Sequence, residues 1–575
     1  MDNQRLLTWA FFGLMLWITY QTWVQDYSPK PVPPVSEQPG LAVQDPAAPA
    51  IEDDLPEISD ASGAGASGAA AEAPAPDALE PVSALAAPVI RVTTDVLDLE
   101  ISTGGGTLHK AALRKYPVAK DRPDELVSLL SYFPLDLGLI ESGVRAVGGA
   151  AEATHLTIFE SQRDSYELNG ADELVVPLTW ADASGVVVEK RYRFRRGSYI
   201  IELEQEITND SAELWRGADY VRIKRYSKEP ERSMFDVDSY SFQGPIVYDG
   251  EKSEKLDHDD LLDDGKYEYY SQQGWFGSIQ HHFVSAVVPP AGTEYRYEVS
   301  VEGNVATSSA IGRSAVAVAP GSSKVFATSL FVGPKLQAQL EEIDETLKLT
   351  VDYGWLTIIS QPLFWLLSFV YMSIWSNWGG AIIIVTILIK LVFYKLTESS
   401  GRSMAKMRNL QPRMKALQDR YKDDRQALSA AMMELYKREK VNPAAGCLPI
   451  LIQMPFFLAF YWVLLESVEM RQAPFALWIT DLSTRDPYFI LPLIMGAAMF
   501  MQQKLNPAPA DPVQAKVMQI MPIMFTAFFA FFPSGLVLYW VTNTLLSIAQ
   551  QWKINRVVEL EAKTQKSGKK KPKDD

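Results

Sequence analysis

Residues 380–397 read GAIIIVTILIKLVFYKLT, an apolar run with one ammonium group near its middle, Lys390, and a second, Lys395, near its end. A helix rises about 1.5 Å per residue, so Lys390 would lie roughly 15 Å from Gly380, close to the midplane of a hydrocarbon layer about 30 Å thick. A lysine at that depth costs roughly 2.5 to 3.5 kcal/mol on insertion scales. Lys390 therefore needs a partner, water or a functional reason to be there.

The apolar runs farther along the chain supply no counter-charge. They cover 446–465, 488–503, 517–532 and 535–550, and none contains Asp or Glu. One interpretation is that the flexible Lys390 stem reaches the nearer water interface. The other is that Lys390 lines a hydrated cavity, where an acidic group of a visiting substrate supplies the missing charge. The residues alone leave both interpretations open.

The formal net charge of −16 over 575 residues conceals a partition. Residues 25–354 hold 54 of the 70 acidic and 28 of the 54 basic side chains, a net of −26, and the rest of the chain carries +10. The positive-inside rule predicts this asymmetry if residues 25–354 face away from the cytoplasm. Because Cys447 is the single cysteine, no disulfide framework supports this outer part.

The N-terminal run from Leu6 to Val24 is uncharged and long enough to span a bilayer. Arg5 precedes it, which predicts a cytoplasmic N-terminus. A cleaved signal peptide is the alternative, but no small-x-small site follows Val24, and this favours an uncleaved anchor. Residues 28–89 are rich in proline and alanine, a composition typical of a flexible tether.

Residues 90–335 show the period-two alternation of strands. Residues 97–101 alternate apolar and acidic side chains before a glycine-rich turn. Residues 191–195 alternate arginines with aromatic side chains, and after Gly197 residues 199–207 alternate apolar side chains with glutamates, which predicts a hairpin with oppositely charged polar faces. Turn signals recur through residue 330, so we predict a large antiparallel β-sandwich.

All five histidines lie in this outer domain: His109, His155, His258, His281 and His282. Their spacing matches no metal-binding signature, and the adjacent pair His281 and His282 should point to opposite faces of a strand. We therefore expect no metal, no cofactor and no catalytic role for them.

The run from Trp355 to Trp375 is uncharged and long enough to cross a membrane, yet topology argues against it. A seventh span would turn segment 395–442, with 12 basic and 6 acidic residues, to the outside. Pro362 and polar side chains at helical spacing favour a helix on the outer membrane face instead. Residues 533–535, Pro-Ser-Gly, should divide the last long apolar run into two spans.

The predicted fold is a membrane α-helical bundle of six spans joined to a large antiparallel β-sandwich, with both termini in the cytoplasm. In chain order we predict a signal anchor at 1–27 (span 1, about 6–24), a tether at 28–89, the sandwich at 90–335, a helical linker and interfacial helix at 336–378, span 2 at 379–397, a cytoplasmic helical hairpin at 398–442, span 3 at 443–465, an outer loop at 466–487, span 4 at 488–503, an inner loop at 504–516, span 5 at 517–532, span 6 at 535–552 and a basic tail at 553–575.

Two basic features face the cytoplasm in this topology. The hairpin carries an apolar stripe that includes Met404, Met407, Met414 and Met432. Such a stripe is either the hairpin's own core or an adaptable docking surface, because thioether side chains repack readily. The tail is either freely solvated or attracts polyanions such as ribosomal RNA and anionic lipid.

Six stretches in the membrane half are long and specific. They read SMAKMRNLQP at 403–412, VNPAAGC at 441–447, LIQMPFFLAFY at 451–461, RQAPFALWITDLS at 471–483, DPYFILP at 486–492 and FPSGLVLYW at 532–540. Through them, residues 350–550 resemble the YidC family of bacterial membrane protein insertases, which are related to mitochondrial and chloroplast insertases. The anchor and outer domain fit the Gram-negative form, whose periplasmic sandwich resembles sugar-mutarotase folds.

The resemblance implies a hydrophilic groove enclosed by five spans, open to the cytoplasm and to lipid and closed on the outer side. Lys390 falls where many relatives have arginine, with Thr386 one helical turn away, and Gln453 matches a polar groove residue of the third span. Tyr539 and Trp540 also match groove positions, although Trp540 stands where some relatives have a second tyrosine.

The function implied by the resemblance is insertion and chaperoning of nascent inner-membrane proteins, without covalent chemistry. The implied partners are nascent membrane proteins, the ribosome through the hairpin and tail, the Sec translocon with its accessory subunits, and membrane lipids. Two other classes stay open on the residues: a small-anion transporter that uses Lys390, and an anchored periplasmic carbohydrate enzyme.

Overall fold

The computed structural model describes residues 87–227, 241–421, 424–439, 441, 448–505 and 512–568. The predicted anchor at 6–24, almost all of the tether, Cys447 and the last residues of the tail lie outside the described residues.

The alternating segments form strands throughout the outer domain, called the β domain below. They are β1 Val89–Thr93, β2 Leu97–Ser102, β3 Thr107–Ala119, β4 Arg122–Leu130, β5 Gly138–Ala146, β6 Ser165–Glu167, β7 Glu173–Ala181, β8 Val186–Arg195, β9 Ile200–Asn209, β10 Trp215–Tyr226, β11 Gln243–Tyr248, β12 Ser253–Lys255, β13 Tyr267–Ser271, β14 Trp275–Gln280, β15 Phe283–Val288, β16 Tyr295–Glu302, β17 Val305–Gly312, β18 Val316–Val318 and β19 Ser322–Pro334.

These strands make two sheets. An eleven-stranded sheet has the order β13-β16-β17-β10-β5-β3-β2-β1-β6, with β18 beside β10 and β4 beside β3, and an eight-stranded sheet has the order β12-β11-β14-β15-β19-β9-β8-β7. The sheets contact one another through a buried core: the Tyr192 hydroxyl donates to the Gly106 carbonyl at 2.6 Å, and Lys190 Nζ donates to Ser142 O at 2.7 Å. The sheets are not purely antiparallel as predicted, because β6 joins β1 in parallel at the edge.

The predicted charged hairpin is confirmed by β8 and β9, which pair antiparallel with Arg191 opposite Glu204 and Arg193 opposite Glu202. The ion pairs have N to O distances of 3.1 and 3.4 Å. Gly197 lies in the connecting turn with a φ of +71°, which favours glycine there.

Helices dominate after β19. The helices of the described residues are α1 His258–Asp264 within the β domain, then α2 Gln337–Ile343, α3 Thr357–Ser373, α4 Trp378–Val392, α5 Tyr394–Arg420, α6 Arg425–Arg438, α7 Leu448–Glu466, α8 Ile490–Leu505, α9 Pro512–Phe529 and α10 Ser534–Gly568.

The helix that contains Lys390 is shorter than predicted. It ends at Val392, and its axis is bent by 69° from that of α5, so the bend falls within span 2 predicted at 379–397. Phe393 at the bend packs edge-on against Phe456 of α7, with ring centroids 5.2 Å apart. The hydrophobic periodicity of the sequence could not predict this bend, because the bend accompanies a contact with another helix. Lys390 thus lies two residues before the end of α4.

The predicted interruption at residues 533–535 agrees with the end of α9 at Phe529 and the start of α10 at Ser534. However, α10 continues to Gly568, so much of the predicted tail is helical. Its extension packs on α5, where Ile554 and Val558 form a small buried cluster with Ala405.

Length and composition single out one membrane-spanning candidate in the described part of the chain, Gly354–Ser373, with 20 residues. The bent pair α4 and α5 passes the same test when counted as one span. Gly354–Ser373 includes α3, which was predicted to lie on the membrane surface, and that placement stays a prediction.

We expect Asp219→Asn to flatten the pH dependence of β-domain stability. Asp219 is 2% exposed and accepts hydrogen bonds from the Tyr295 hydroxyl, and burial raises its pKa to about 6. Because ionisation is disfavoured in the folded state, stability should fall as pH rises from about 4 to 6, by about 3 kcal/mol, and stay lower above that range.

Urea unfolding of the full chain in detergent, followed by the β-sheet circular dichroism signal at pH 4.5 and 7.5, checks this. The wild type should lose more stability between the two pH values than the variant. Identical pH dependence for both proteins would contradict the assignment.

Candidate functional site

The Lys390 ammonium lies between α4 and α10. It is 9% exposed, and its Nζ donates to the Ser547 hydroxyl at 2.7 Å. Ser547 in turn donates to the Asn543 carbonyl of its own helix at 2.7 Å. Within the described residues Lys390 forms no ion pair, so the neighbour that holds it is neutral. Sequence reasoning missed Ser547, although Asn543 and Ser547 stand out as polar residues in an apolar run.

The predicted groove residues of α4 and α7 are placed as follows. Thr386 is 2% exposed, and its hydroxyl donates to the Ile382 carbonyl at 2.6 Å, so its hydrogen is used within the helix while its oxygen can still accept. It lies one turn before Lys390, about 6 Å along α4. Gln453 is half-buried on α7.

Tyr539 and Trp540 belong to an aromatic cluster that joins α10 to α7 and α9. Tyr539 stacks on Phe460 with centroids 4.4 Å apart, and Trp540 meets Phe457 edge-on at 4.7 Å and Phe529 at 5.3 Å. Tyr539 is buried, so its stacking on Phe460 packs α10 against α7. Trp540 lies seven residues before Ser547, which places both on one face of α10, about 10 Å apart along its axis.

The loop between α7 and α8 closes one end of this helical region. The amides of Ser534 and Gly535 donate to Thr484 O and Leu482 O at 2.7 and 2.9 Å, and Asn377 donates to Phe475 O at 2.9 Å. These bonds fix the loop across the first residues of α4 and α10.

Asp486 stabilises the same loop from within. This buried carboxylate accepts from the indole of Trp478 at 3.0 Å and from the amides of Tyr488 and Leu491 at 3.0 and 2.7 Å. The end of the bundle where α4 and α10 begin is thus covered by a hydrogen-bonded cap.

A buried ion pair joins the β domain to the helices. Lys335, immediately after β19, reaches Glu466 at the end of α7, with 3.1 Å between Nζ and Oε2, and the two side chains are 1% and 10% exposed. Burial lowers the pKa of Lys335, and Glu466 opposes that shift. Arg471 adds hydrogen bonds to the carbonyls of Pro117 and Val118 in β3 at 2.9 and 3.0 Å.

The two adjacent histidines lie at the same junction, and their predicted orientation was wrong. His281 and His282 form the turn between β14 and β15, so they do not alternate along a strand, and their rings stack at 3.7 Å. Burial lowers the pKa of His281 to about 4, so the neutral ring can donate from Nε2 to the Leu465 carbonyl at 3.1 Å. No group of three metal-ligating side chains occurs in the part of the chain that the structure describes.

The hairpin of α5 and α6 uses most of its predicted methionines internally. Met414 is buried with Leu410 and Leu435, and Met407 and Met432 pack against that cluster. This packing favours the core interpretation for three of the four methionines. Met404 is half-buried outside that cluster, and docking through these side chains stays a prediction.

The helices bury polar side chains and expose large apolar ones, the reverse of the pattern in a water-soluble protein. Lys390 and Thr386 are buried, while Trp365, Val392 and Ile523 are 66%, 78% and 72% exposed. Apolar surfaces of this kind suit lipid, and buried polar groups among them mark functional sites. The arrangement is that of a helical membrane protein with a large β domain outside the bilayer.

Comparisons identify the family. The model of the 60Kd inner membrane protein family matches residues 369–563, and the model of the YidC periplasmic domain matches residues 89–366. Membrane protein insertase YidC of Thioalkalivibrio sulfidiphilus is 47% identical over 582 residues, covering 99% of this chain and 100% of that protein. The insertase YidC of Nitrosococcus oceani is 44% identical, covering 98% and 100%. The chain belongs to the YidC family of membrane protein insertases.

Family membership settles the broad function. The protein is an inner-membrane insertase, not an enzyme, its β domain is periplasmic, and nascent membrane proteins are its clients. The small-anion transporter has no support among the relatives, and neither has the periplasmic carbohydrate enzyme.

We expect Glu466→Ala to loosen the β domain from the helices, because Lys335 would stay buried without its partner, at a cost of about 3 to 5 kcal/mol. Hydrogen exchange should rise at residues 332–350 and 465–471. Glu341→Ala is the matched control, since its ion pair with Lys348 is 47% and 37% exposed and contributes at most about 1 kcal/mol. Equal, small effects of the two variants would contradict the claim that the Lys335–Glu466 ion pair holds the β domain to the helices.

Proposed function

We propose that Lys390 faces a hydrated groove within the bilayer and attracts the polar, often acidic, segment that a client must pass outward. The observation that carries this proposal is a lysine in an apolar helix whose partner in the described structure is one neutral hydroxyl. A neutral partner leaves the positive charge uncancelled, so a client carboxylate still gains from approaching it.

The mechanism is one of solvation and electrostatics. Water and Lys390 lower the cost of bringing a polar segment partway into the membrane, where it would otherwise lose its hydration. The apolar segment of the client moves along α7 and α9 into lipid, which is downhill through the hydrophobic effect. Thr386 and Gln453 offer hydrogen-bonding groups beside this path, and Tyr539 and Trp540 support an aromatic wall at its outer part.

The cap formed by the loop between α7 and α8 supports a groove closed on the periplasmic side. The loop accepts backbone hydrogen bonds from Ser534 and Gly535 and is stabilised by the buried Asp486. These contacts hold it over the first residues of α4 and α10. The groove would then open toward the cytoplasm and laterally to lipid, with six spans and both termini in the cytoplasm.

The basic cytoplasmic parts would receive clients from the ribosome. Segment 395–442 contains 12 basic and 6 acidic residues, and this net positive charge attracts ribosomal RNA. The Arg402 to Glu561 ion pair, at 3.1 Å, ties the start of this segment to the α10 extension. Cooperation with the Sec translocon and its accessory subunits belongs to the same proposal.

Substitutions at Lys390 test the groove. Lys390→Ala should abolish growth in a strain depleted of its own insertase, because the client loses its counter-charge, while Lys390→Arg should retain growth because the charge is kept. Immunoblotting must show equal membrane levels of both variants. Equal growth with the two variants would refute the proposed role of the charge.

A second test locates the client. A photocrosslinker at Thr386 or Gln453 should capture a ribosome-stalled client at intermediate chain lengths. A crosslinker at Trp365, on the lipid-facing side of α3, is the control. Capture at Trp365 alone would place the client outside the groove.

A further inference from the structure

We infer that Ser547 is a positioning residue that holds the Lys390 ammonium in place for client carboxylates. The inference rests on the proposed groove and adds a residue to it. Its basis is a two-bond relay: Lys390 Nζ donates to Ser547 Oγ at 2.7 Å, and Ser547 Oγ donates to Asn543 O at 2.7 Å.

The relay orients the hydroxyl. A serine hydroxyl has one proton and two lone pairs, and the Asn543 carbonyl takes the proton. The lone pairs are therefore directed toward the ammonium, which carries three donors. Ser547 can accept from Lys390 without reorganising when a client arrives.

The position of Lys390 explains why such a restraint is needed. It lies two residues before the end of α4, and the next residues, Leu391 and Val392, are 62% and 78% exposed. A four-carbon stem at that point has the freedom to carry its charge toward the cytoplasmic interface. The bond to Ser547 keeps the charge between α4 and α10.

The neutrality of Ser547 matters as much as its reach. A carboxylate at this position would hold Lys390 more firmly, but it would also cancel the charge that the client is to meet. A hydroxyl restrains the ammonium and leaves its charge available, and the two remaining N–H groups can be shared with an incoming carboxylate.

The chain offers a matched control on the same helix. The Thr542 hydroxyl also donates to the carbonyl four residues earlier, Leu538 O at 2.8 Å, but that is the one bond the structure shows for it in the described region. Each alanine substitution removes one hydrogen bond to the carbonyl four residues earlier in α10, but only the one at Ser547 also removes a contact with Lys390.

The experiment uses the full-length protein in proteoliposomes and one client in two forms, with either aspartates or asparagines in the translocated tail. Ser547→Ala should lower insertion of the aspartate client by roughly 10- to 150-fold, the range for one hydrogen bond to a charged group, and leave the asparagine client nearly unchanged. Ser547→Thr should restore the wild-type rate, and Thr542→Ala should have no effect. In a Lys390→Ala background, Ser547→Ala should cause no further loss.

The outcomes separate the two claims. If Lys390→Ala itself leaves insertion of the aspartate client intact, the proposed groove charge is wrong. If Lys390→Ala reduces insertion but Ser547→Ala has no effect, acts equally on both clients or adds its full loss to Lys390→Ala, the positioning role is wrong and the groove charge stands.

Discussion

A positive charge placed among apolar helices and restrained by a neutral hydroxyl is the constraint on which the rest of this protein depends. An ammonium held this way is costly in hydrocarbon, and an ion pair would reduce that cost but would cancel the charge on which the proposed groove depends. The contact between Lys390 and Ser547 fixes the side chain without neutralising it. The surrounding helices present apolar side chains outward, so the polar interior is separated from lipid.

On the periplasmic side, hydrogen bonds hold the loop between α7 and α8 against the helices. The loop after α7 is bonded to the first residues of α4 and α10, and Asp486 organises it from inside. The buried pair of Lys335 and Glu466 then connects the cap to the β domain. A bundle held by these bonds at its periplasmic end suits the proposed groove, which opens toward the cytoplasm and to lipid.

Much of this followed from local patterns in the sequence. The alternation around Arg191 and Glu204 predicted the hairpin, because cross-strand register needs only neighbouring strands. Proline and glycine at 533–535 predicted the break before α10. The family motifs then brought Lys390, Thr386, Gln453, Tyr539 and Trp540 into one hypothesis.

What escaped prediction depends on contacts distant in sequence. The bend after Val392 accompanies packing of Phe393 on Phe456, the parallel β6 joins an edge formed far earlier in the chain, and Ser547 meets Lys390 across 157 residues. The prediction for the histidine pair was wrong for a local reason. His281 and His282 occupy a two-residue turn, which the alternation pattern alone does not distinguish from a strand.

Water beside Lys390 is the central claim, and thiol accessibility measures it most directly. In a Cys447→Ser background, Thr386→Cys is compared with Leu388→Cys, because Thr386 lies on the same face of α4 as Lys390 while Leu388 is 37% exposed on the opposite face. A small charged thiol reagent added from the cytoplasmic face should label Thr386→Cys much faster than Leu388→Cys, since thiolates form only where water reaches. Slow labelling at both positions would show a dry interior and contradict the account.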